Sequence, residues 1–409
     1  MHLLAYFRSE HNLMSLKSKL LFVMLLAGLS AAAQFRKYSN EFLNIGAGAR
    51  GLGMGGAQVA STEDGNAGYW NPAGLVYVYE HPAVSFMHAD YFAGIGKYDY
   101  LNGAFPLNDK YKTLGISLLR FGVDDIPNTL YLVEPDGSIN YNNIQSFSSA
   151  DYAFLVSYSH LFKDDDKSGV QMSWGANTKI IYRKVGSFAN AWGFGFDVGF
   201  MYKTPKWRIG VAARDVTSTF NAWSFSFDDR EKEVLYLTNN DIPVRSTELT
   251  SPTLVLGYAY NFRMAEKFHL LAEANLNMTF DGKRNTILSS NPISIDPKFG
   301  IEANISNVFF VRAGISNFQQ ALADGDTLNQ KKVWIFQPSI GAGFKVGNVT
   351  IDYAFSNLAN QGNPLYSHIF SVRLDLLPKK TTPKEKKNDG IPEVPKPVKE
   401  KKKKLYYPG

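Results

Sequence analysis

A glycine motif near the N-terminus is the first group of residues whose types and spacing suggest chemistry. Gly46, Gly48 and Gly51 match the pattern G-x-G-x-x-G, in which backbone amides hold the pyrophosphate of a dinucleotide. That chemistry requires a strand before the motif and a helix after it. Here further glycines follow, at Gly53 and Gly55, and strand-like patterns come next. We therefore interpret the match as coincidental and expect no cofactor.

Hydrolytic chemistry would require a nucleophile paired with a base. The histidines after the leader are His81, His88, His160, His269 and His368. No G-x-S-x-G motif occurs, and no histidine is paired locally with Ser and Asp together. The chain also contains no cysteine, which excludes disulfides, a lipoprotein anchor and thiolate metal ligands. The sequence thus predicts a protein that is not an enzyme, with no catalytic residue and no metal site.

The N-terminal leader predicts export. Lys17 and Lys19 precede an apolar run over residues 20–29, and small residues follow up to Ala33. This order is typical of a secretory signal peptide, with cleavage after Ala33. We assign residues 1–33 to it, whether translation starts at Met1 or at Met14.

A two-residue period dominates the chain after residue 82. Trp192, Phe194 and Phe196, for example, alternate with Gly193 and Gly195, as in a strand with one apolar face. About fourteen such runs occur, and the long connections all fall on alternate turns, notably 122–149 and 218–250. Outer-membrane barrels sort their loops in this way, whereas a soluble sandwich needs crossing connections. We predict an all-β, 14-stranded antiparallel transmembrane barrel over residues 82–377, with the long loops extracellular.

The glycine-rich stretch within residues 34–81 is predicted to fold as a plug inside the barrel, where glycines on the inward face leave room for it. A buried Arg50 must be paired, and the expected partners are Asp197, Glu273, Glu302 or Asp352. Asn71 and Pro72 predict a turn that seats the plug. The plug motif consists of Arg50, Gly53, Met54, Gly55, Gly56, Trp70, Asn71 and Pro72.

The C-terminal tail, residues 378–409, carries the basic charge of the chain. It has eleven Lys against four acids, or +7, while the whole chain is +6. The remainder is therefore about −1, which gives no support for nucleic-acid binding. We expect a disordered periplasmic tail that either is simply solvated or docks to a periplasmic partner.

The N-terminal motif resembles that of the PorV/PorQ family of FadL-like outer-membrane barrels. The shared residues include Phe42, Leu43, Ile45, Ala49, Arg50, Gly53–Ala57, Asp64, Ala67 and Tyr69–Leu75. The resemblance implies an outer membrane of the Bacteroidetes type and a role in type IX protein secretion. It also implies two protein partners, which are a giant translocon barrel and secreted proteins with C-terminal signal domains.

Two functions stay open. The first is a secretion component whose long loops bind protein partners, and the alternative is a FadL-like transporter of small hydrophobic compounds, with an apolar pocket near the external mouth. The aromatic side chains of the loops either form the partner surface or pack against each other as a lid. These residues are Tyr131, Tyr141, Phe147, Phe220, Trp223, Phe225, Phe227 and Tyr236.

Overall fold

The computed structural model describes residues 34–35, 39–107, 111–134, 136–243, 245–322, 332–357 and 366–377. The predicted signal peptide and C-terminal tail lie outside these residues. The described chain forms a closed, 14-stranded antiparallel β-barrel, as the period-two pattern predicted. No helix in the described part of the chain is long and apolar enough to cross a membrane.

The barrel strands follow one another around the wall in chain order. They are β1 (Ala83–Tyr91), β2 (Gly96–Pro106), β3 (Lys112–Asn128), β4 (Gln145–Asp165), β5 (Val170–Val185), β6 (Ala189–Lys203), β7 (Trp207–Arg214 and Thr219–Phe225), β8 (Arg245–Thr250 and Thr253–Ala265), β9 (Phe268–Thr279), β10 (Ser294–Ile305), β11 (Phe309–Leu322), β12 (Lys332–Val346), β13 (Val349–Asn357) and β14 (Tyr366–Asp375).

Closure is made by β14 and β1, which pair antiparallel from His368 opposite Asp90 to Asp375 opposite Ala83. The connections at one end are short, such as 204–206 and 347–348, while 129–144, 226–244 and 280–293 lie at the other end. We call this second end the long-loop end.

Strands β7 and β8 are each interrupted, at residues 215–218 and 251–252. Asp215 and Ser218 have positive φ, so the chain bulges between the two halves of β7. On the inner side Lys179 lies 2.7 Å from the carboxylate of Asp197 and 2.5 Å from that of Asp215. This buried ion pairing ties the bulge to β5 and β6.

The long loops are shorter than the sequence predicted. Strand β3 continues to Asn128 and β4 begins at Gln145, so the first loop is 129–144. In the second, the upper halves of β7 and β8 pair with each other, and the helix Asp229–Leu237 follows. The prediction was wrong because Thr219–Phe225 mixes polar, small and aromatic residues, which gives a weak strand signal.

Burial along the strands is inverted relative to a soluble protein. In β6 the large Trp192, Phe196 and Phe200 are exposed on the outer wall, whereas Gly193 and Asp197 face inward and are buried. Such alternation is typical of a wall that meets lipid outside and a polar interior inside. The aromatic core lies inside the barrel and includes Phe42, Tyr69, Trp70, Tyr98 and Tyr100.

The N-terminal segment, which we define as residues 39–78, lies inside the barrel against the inward-facing residues. It is irregular, with short helices α1 (Ala49–Gly53) and α2 (Ala67–Trp70) and two 3-10 turns, Glu41–Asn44 and Pro72–Tyr77. Upstream, the two-residue strand Gln34–Phe35 pairs parallel with Glu248 and Leu249 of β8.

Candidate functional site

Arg50 joins the N-terminal segment to the barrel wall. Its guanidinium donates two hydrogen bonds, of 2.9 and 3.0 Å, to the Glu302 carboxylate on β10. Arg312 donates to the same carboxylate at 2.6 Å and to Asp352 at 2.7 Å. The structure thus selects Glu302 from the four expected partners. These four side chains form a continuous series of buried ion pairs, in which each charge has an opposite charge beside it, as burial requires.

Two more residues of the segment are paired at the short-turn end. Glu63 lies 2.5 Å from Lys203 and 3.1 Å from Arg208. Asp64 lies 3.5 Å from Arg373 on β14. Together with the Arg50 pair, these contacts fasten the segment to three separate parts of the wall.

The backbone of the N-terminal segment approaches the barrel wall closely, which explains several glycines on the inner face of the wall. A Cβ on Gly175 would lie 2.4 Å from the Pro72 carbonyl carbon, and one on Gly314 would lie 2.1 Å from that of Met54. Gly199, Gly210, Gly300 and Gly341 likewise face the segment, whereas Gly193, Gly195 and Gly343 face side chains of the barrel itself. The inward glycines therefore serve partly to admit the segment and partly to admit neighbouring side chains.

The predicted turn residues hold the segment in shape. The Asn71 amide donates to the carbonyls of Val59 and Phe200, at 3.0 and 3.1 Å, and its oxygen accepts from the Ala73 amide. The Trp70 indole donates to the Ala47 carbonyl at 2.8 Å. Gly53 and Met54 are buried, and Gly55 and Gly56 have positive φ, so these motif residues shape and seat the segment.

A polar cavity of about 460 Å³ lies between the segment and the long-loop end. Its lining mixes hydroxyl, amide and charged side chains with the rings of Trp70 and Tyr91. The lining charges include Arg214 and Lys298 as well as Asp215 and Asp296. Within the described ranges no group of three or more His, Asp or Glu side chains is arranged to hold a metal ion.

A second cavity of about 520 Å³ also opens at the long-loop end, and it is predominantly apolar. We call it the aromatic pocket. Its lining comes from the upper ends of β3 to β8 and comprises Pro127, Asn128, Thr129, Leu130, Phe147, Val185, Phe188, Ala189, Trp223, Phe225, Phe227, Ser246 and Glu248.

The aromatic rings of this pocket form a continuous series. Phe147 meets Phe188 edge to face at 5.1 Å, and Phe188 stacks on Phe227 at 6.1 Å. Phe227 is near-parallel to Phe225 at 6.5 Å, which in turn stacks on Trp223 at 6.2 Å. Because these separations suit aromatic contacts, the rings support one another as a wall.

One charged residue, Glu248, lines the aromatic pocket, and the Arg183–Asp151 pair lies next to it. Arg183 donates two hydrogen bonds to Asp151, at 2.8 and 3.1 Å, and its guanidinium lies 5.1 Å from the Trp223 ring. Glu248 is buried, lines the pocket and lies 3.7 Å from Arg183. An apolar compound that entered the pocket would therefore meet one charged side chain in its lining, that of Glu248.

Two loops meet above the pocket. The Tyr131 hydroxyl donates to Asp228 at 2.6 Å, and Arg230 donates to the Val133 carbonyl at 3.0 Å. The hydrogen bond from Tyr131 lowers the pKa of Asp228, and that contact raises the pKa of Tyr131 to about 12. Asp228 also caps helix α3 (Asp229–Leu237) through a capping box with Glu231.

The aromatic residues predicted to form a partner surface lie in several different places in the structure. Phe147, Trp223, Phe225 and Phe227 converge on the aromatic pocket, and Tyr131 joins the two loops. Tyr141 and Tyr236 are exposed on the loops. The predicted position of Phe220 on a loop was wrong, because Phe220 lies on the outer face of β7 and is exposed there.

Sequence reasoning missed Phe188, Arg183 and Glu248. Phe188 sits in the short connection 186–188, where a single aromatic residue carries no periodic signal. Arg183 and Asp151 are inward charges on neighbouring strands and pair in register. A charged residue on the small-residue face of a predicted strand was the available signal, because an inward charge needs a partner.

No family model matches the chain, and no curated protein matches it. Several solved structures, however, match the chain. A crystal structure of the Pseudomonas putida toluene transporter TodX matches with 14% sequence identity and a TM-score of 0.51, covering 81% of this chain and 98% of that one. The CymD monoaromatic hydrocarbon channel matches with 12% identity and a TM-score of 0.50, covering 81% and 98%.

The fold is FadL-like. At this level of identity the likeness concerns the fold alone. The proteins that share its architecture are described as a transporter and a channel. The comparisons give no support to the PorV/PorQ assignment or to type IX secretion.

Proposed function

We propose that this barrel takes up small hydrophobic compounds at the long-loop end, which faces the cell exterior. The observation that carries the proposal is the aromatic pocket, whose five contacting rings offer a preformed apolar site at the mouth. Its volume of about 520 Å³ is in the range of small-molecule sites. The fold shared with the toluene transporter TodX supports the same function.

The N-terminal segment is proposed to act as the plug of this channel. Its ion pairs with Glu302, Lys203, Arg208 and Arg373 lie below the pocket and resist axial passage. A compound held in the aromatic pocket would have to displace the segment or pass beside it.

The test is uptake of radiolabelled toluene by cells that express the barrel. Ser246 lines the pocket, so Ser246→Trp should fill it and reduce uptake several-fold. Thr247 is exposed on the opposite face of the same strand, which makes Thr247→Trp the matched control. Equal uptake by both variants and the wild type, at equal barrel abundance, would contradict the proposal.

Protein secretion of the type IX kind is the second candidate. It is supported by the N-terminal motif and by Tyr141 and Tyr236, which are 72% and 78% exposed on the loops. Exposed aromatic side chains are typical anchors of protein interfaces. Purification in mild detergent from the native membrane is the test. Recovery of a giant barrel together with proteins bearing C-terminal signal domains would support it, and recovery of the chain alone would count against it.

A further inference from the structure

The outer face of β3, β4 and β5 changes character near the long-loop end. Three successive rows of side chains cross these strands in register, and in order toward the loops they are Leu118, Phe154 and Ile180, then Arg120, Tyr152 and Tyr182, and then Gly122, Ala150 and Lys184. The first row is apolar and exposed, as in a wall that meets lipid tails, and the tyrosines of the second row are typical of the aromatic girdle at the membrane interface. The third row therefore lies at the level of the lipid headgroups.

An open groove of about 710 Å³ lies on this part of the outer face. Its lining consists of Arg120, Phe147, Ser148, Ala150, Tyr152, Tyr182, Lys184, Gly186 and Ser187. Among these lining residues there are two cations and no carboxylate. Apart from Phe147, the lining is distinct from that of the aromatic pocket.

The two cations stand on either side of a low floor. A Cβ on Gly122 would lie 2.8 Å from Nη2 of Arg120, so the guanidinium lies over Gly122. Lys184 is two strands away in the same row, about 10 Å between backbones at the usual strand spacing. Only the methyl group of Ala150 lies in that row between Gly122 and Lys184. A phosphate group resting above Ala150 could accept hydrogen bonds from both cations, because its oxygens point in several directions.

Both cations have donors free for a ligand. Lys184 is exposed and, within the described ranges, forms no ion pair. Nη1 of Arg120 lies 3.4 Å from Asp99, which is a long contact, and Asp99 is held more closely by His88, at 2.7 Å. The Arg120 side chain is 35% exposed, and a guanidinium carries further N–H donors. A phosphate can therefore bind Arg120 without displacing Asp99.

We propose that this groove binds the phosphate group of a membrane lipid, between Arg120 and Lys184. The chains of that lipid continue down the wall over the exposed apolar row of Leu118, Phe154 and Ile180. The rings of Tyr152 and Tyr182, which stack at 6.3 Å, lie between the phosphate and the chains. Basic pockets at the membrane interface bind anionic headgroups in this way. A free phosphate would gain nothing from the apolar row, which is why a lipid is the expected occupant.

The test compares two lipids with the same chains on the full-length barrel by native mass spectrometry. Dioleoylphosphatidic acid carries a phosphate, and dioleoylglycerol lacks it. The phosphatidic acid should bind at least about tenfold more tightly, the combined effect of two basic residues beside an anionic headgroup. An excess of sodium phosphate should not displace it, because the apolar row holds the chains.

Charge-removing variants locate the effect. Lys184→Gln and Arg120→Gln should each weaken binding of phosphatidic acid about fivefold and leave that of dioleoylglycerol unchanged. Lys232→Gln makes the same change on helix α3 in a loop, where Lys232 is exposed, and should alter neither. In the wild type, phosphatidic acid with a diazirine near the head of one chain should label Tyr152 and Tyr182. This measurement stands even if a variant does not fold.

Several results would overturn the proposal. Equal binding of the two lipids, unchanged affinity for phosphatidic acid in Lys184→Gln, or labelling confined to other strands would show that the groove does not recognise a lipid phosphate. Displacement by sodium phosphate would show that the groove binds a free anion instead. None of these results bears on uptake through the aromatic pocket, so the two claims fail independently.

Discussion

The Tyr131 hydroxyl donates a 2.6 Å hydrogen bond to the Asp228 carboxylate across 97 residues of sequence. This bond, with that from Arg230 to the Val133 carbonyl, joins the two loops above the aromatic pocket. We therefore expect access to the pocket from the long-loop end to depend on the contact between these loops.

Removing the hydroxyl should loosen the loops. In Tyr131→Phe we expect a broader distance distribution between spin labels on Asn142→Cys and Asn239→Cys, measured by double electron–electron resonance. The chain contains no cysteine, so the two labels are unique. Tyr141→Phe is the control, because Tyr141 is 72% exposed. Identical distributions in the two variants would show that the Tyr131 bond does not hold the loops.

The loop contact should depend on pH in a defined direction. The hydrogen bond from Tyr131 lowers the pKa of Asp228 below its usual 3.8. A lowered carboxyl pKa stabilises the contact above the unfolded value, and this stabilisation is lost as the pH falls through the folded pKa.

The spin-label distances in the wild type should therefore be constant from pH 7 to about 5 and broaden below the usual aspartate pKa. Tyr131→Phe should show little further broadening over the same range. Broadening of the wild type near pH 6 would point to a different titrating group.

Arg50→Ala should loosen the N-terminal segment. The variant leaves Glu302 with Arg312 as its remaining partner, so the cost is that of one buried, charge-assisted contact, about 1–3 kcal/mol of unfolding free energy. Conductance in planar bilayers should also rise as the segment becomes mobile. Arg263→Ala, at an exposed position on β8, is the control. Unchanged stability and conductance in Arg50→Ala would refute a fastening role.

Gly175→Ala should disturb the seat of the Pro72 turn. The added Cβ would lie 2.4 to 2.6 Å from backbone atoms of Pro72 and Ala73, which cannot move without displacing the segment. We expect a loss of about 1–3 kcal/mol in urea unfolding, as for other overpacked sites. In Gly122→Ala the three atoms nearest the added Cβ belong to the guanidinium of Arg120, the end of a flexible side chain, so this variant should be tolerated. Equal stability of the two variants would contradict this account.

The sequence by itself determined the architecture. Strand periodicity is local, since every second residue faces the same side, so runs such as 191–203 reveal both the strand and its lipid-facing side. The inward glycines and the turn at Asn71 and Pro72 likewise indicated a segment packed closely against the wall.

Only the tertiary structure decided which residues meet. Closure of the sheet selected Glu302 among four inward acids as the partner of Arg50. The register of β7 and β8 brought Trp223 and Glu248 to one pocket with Phe147 and Phe188. Such contacts depend on strand register, on bulges and on the path of the loops. These are set by the sum of many distant interactions, so no short stretch of sequence encodes them.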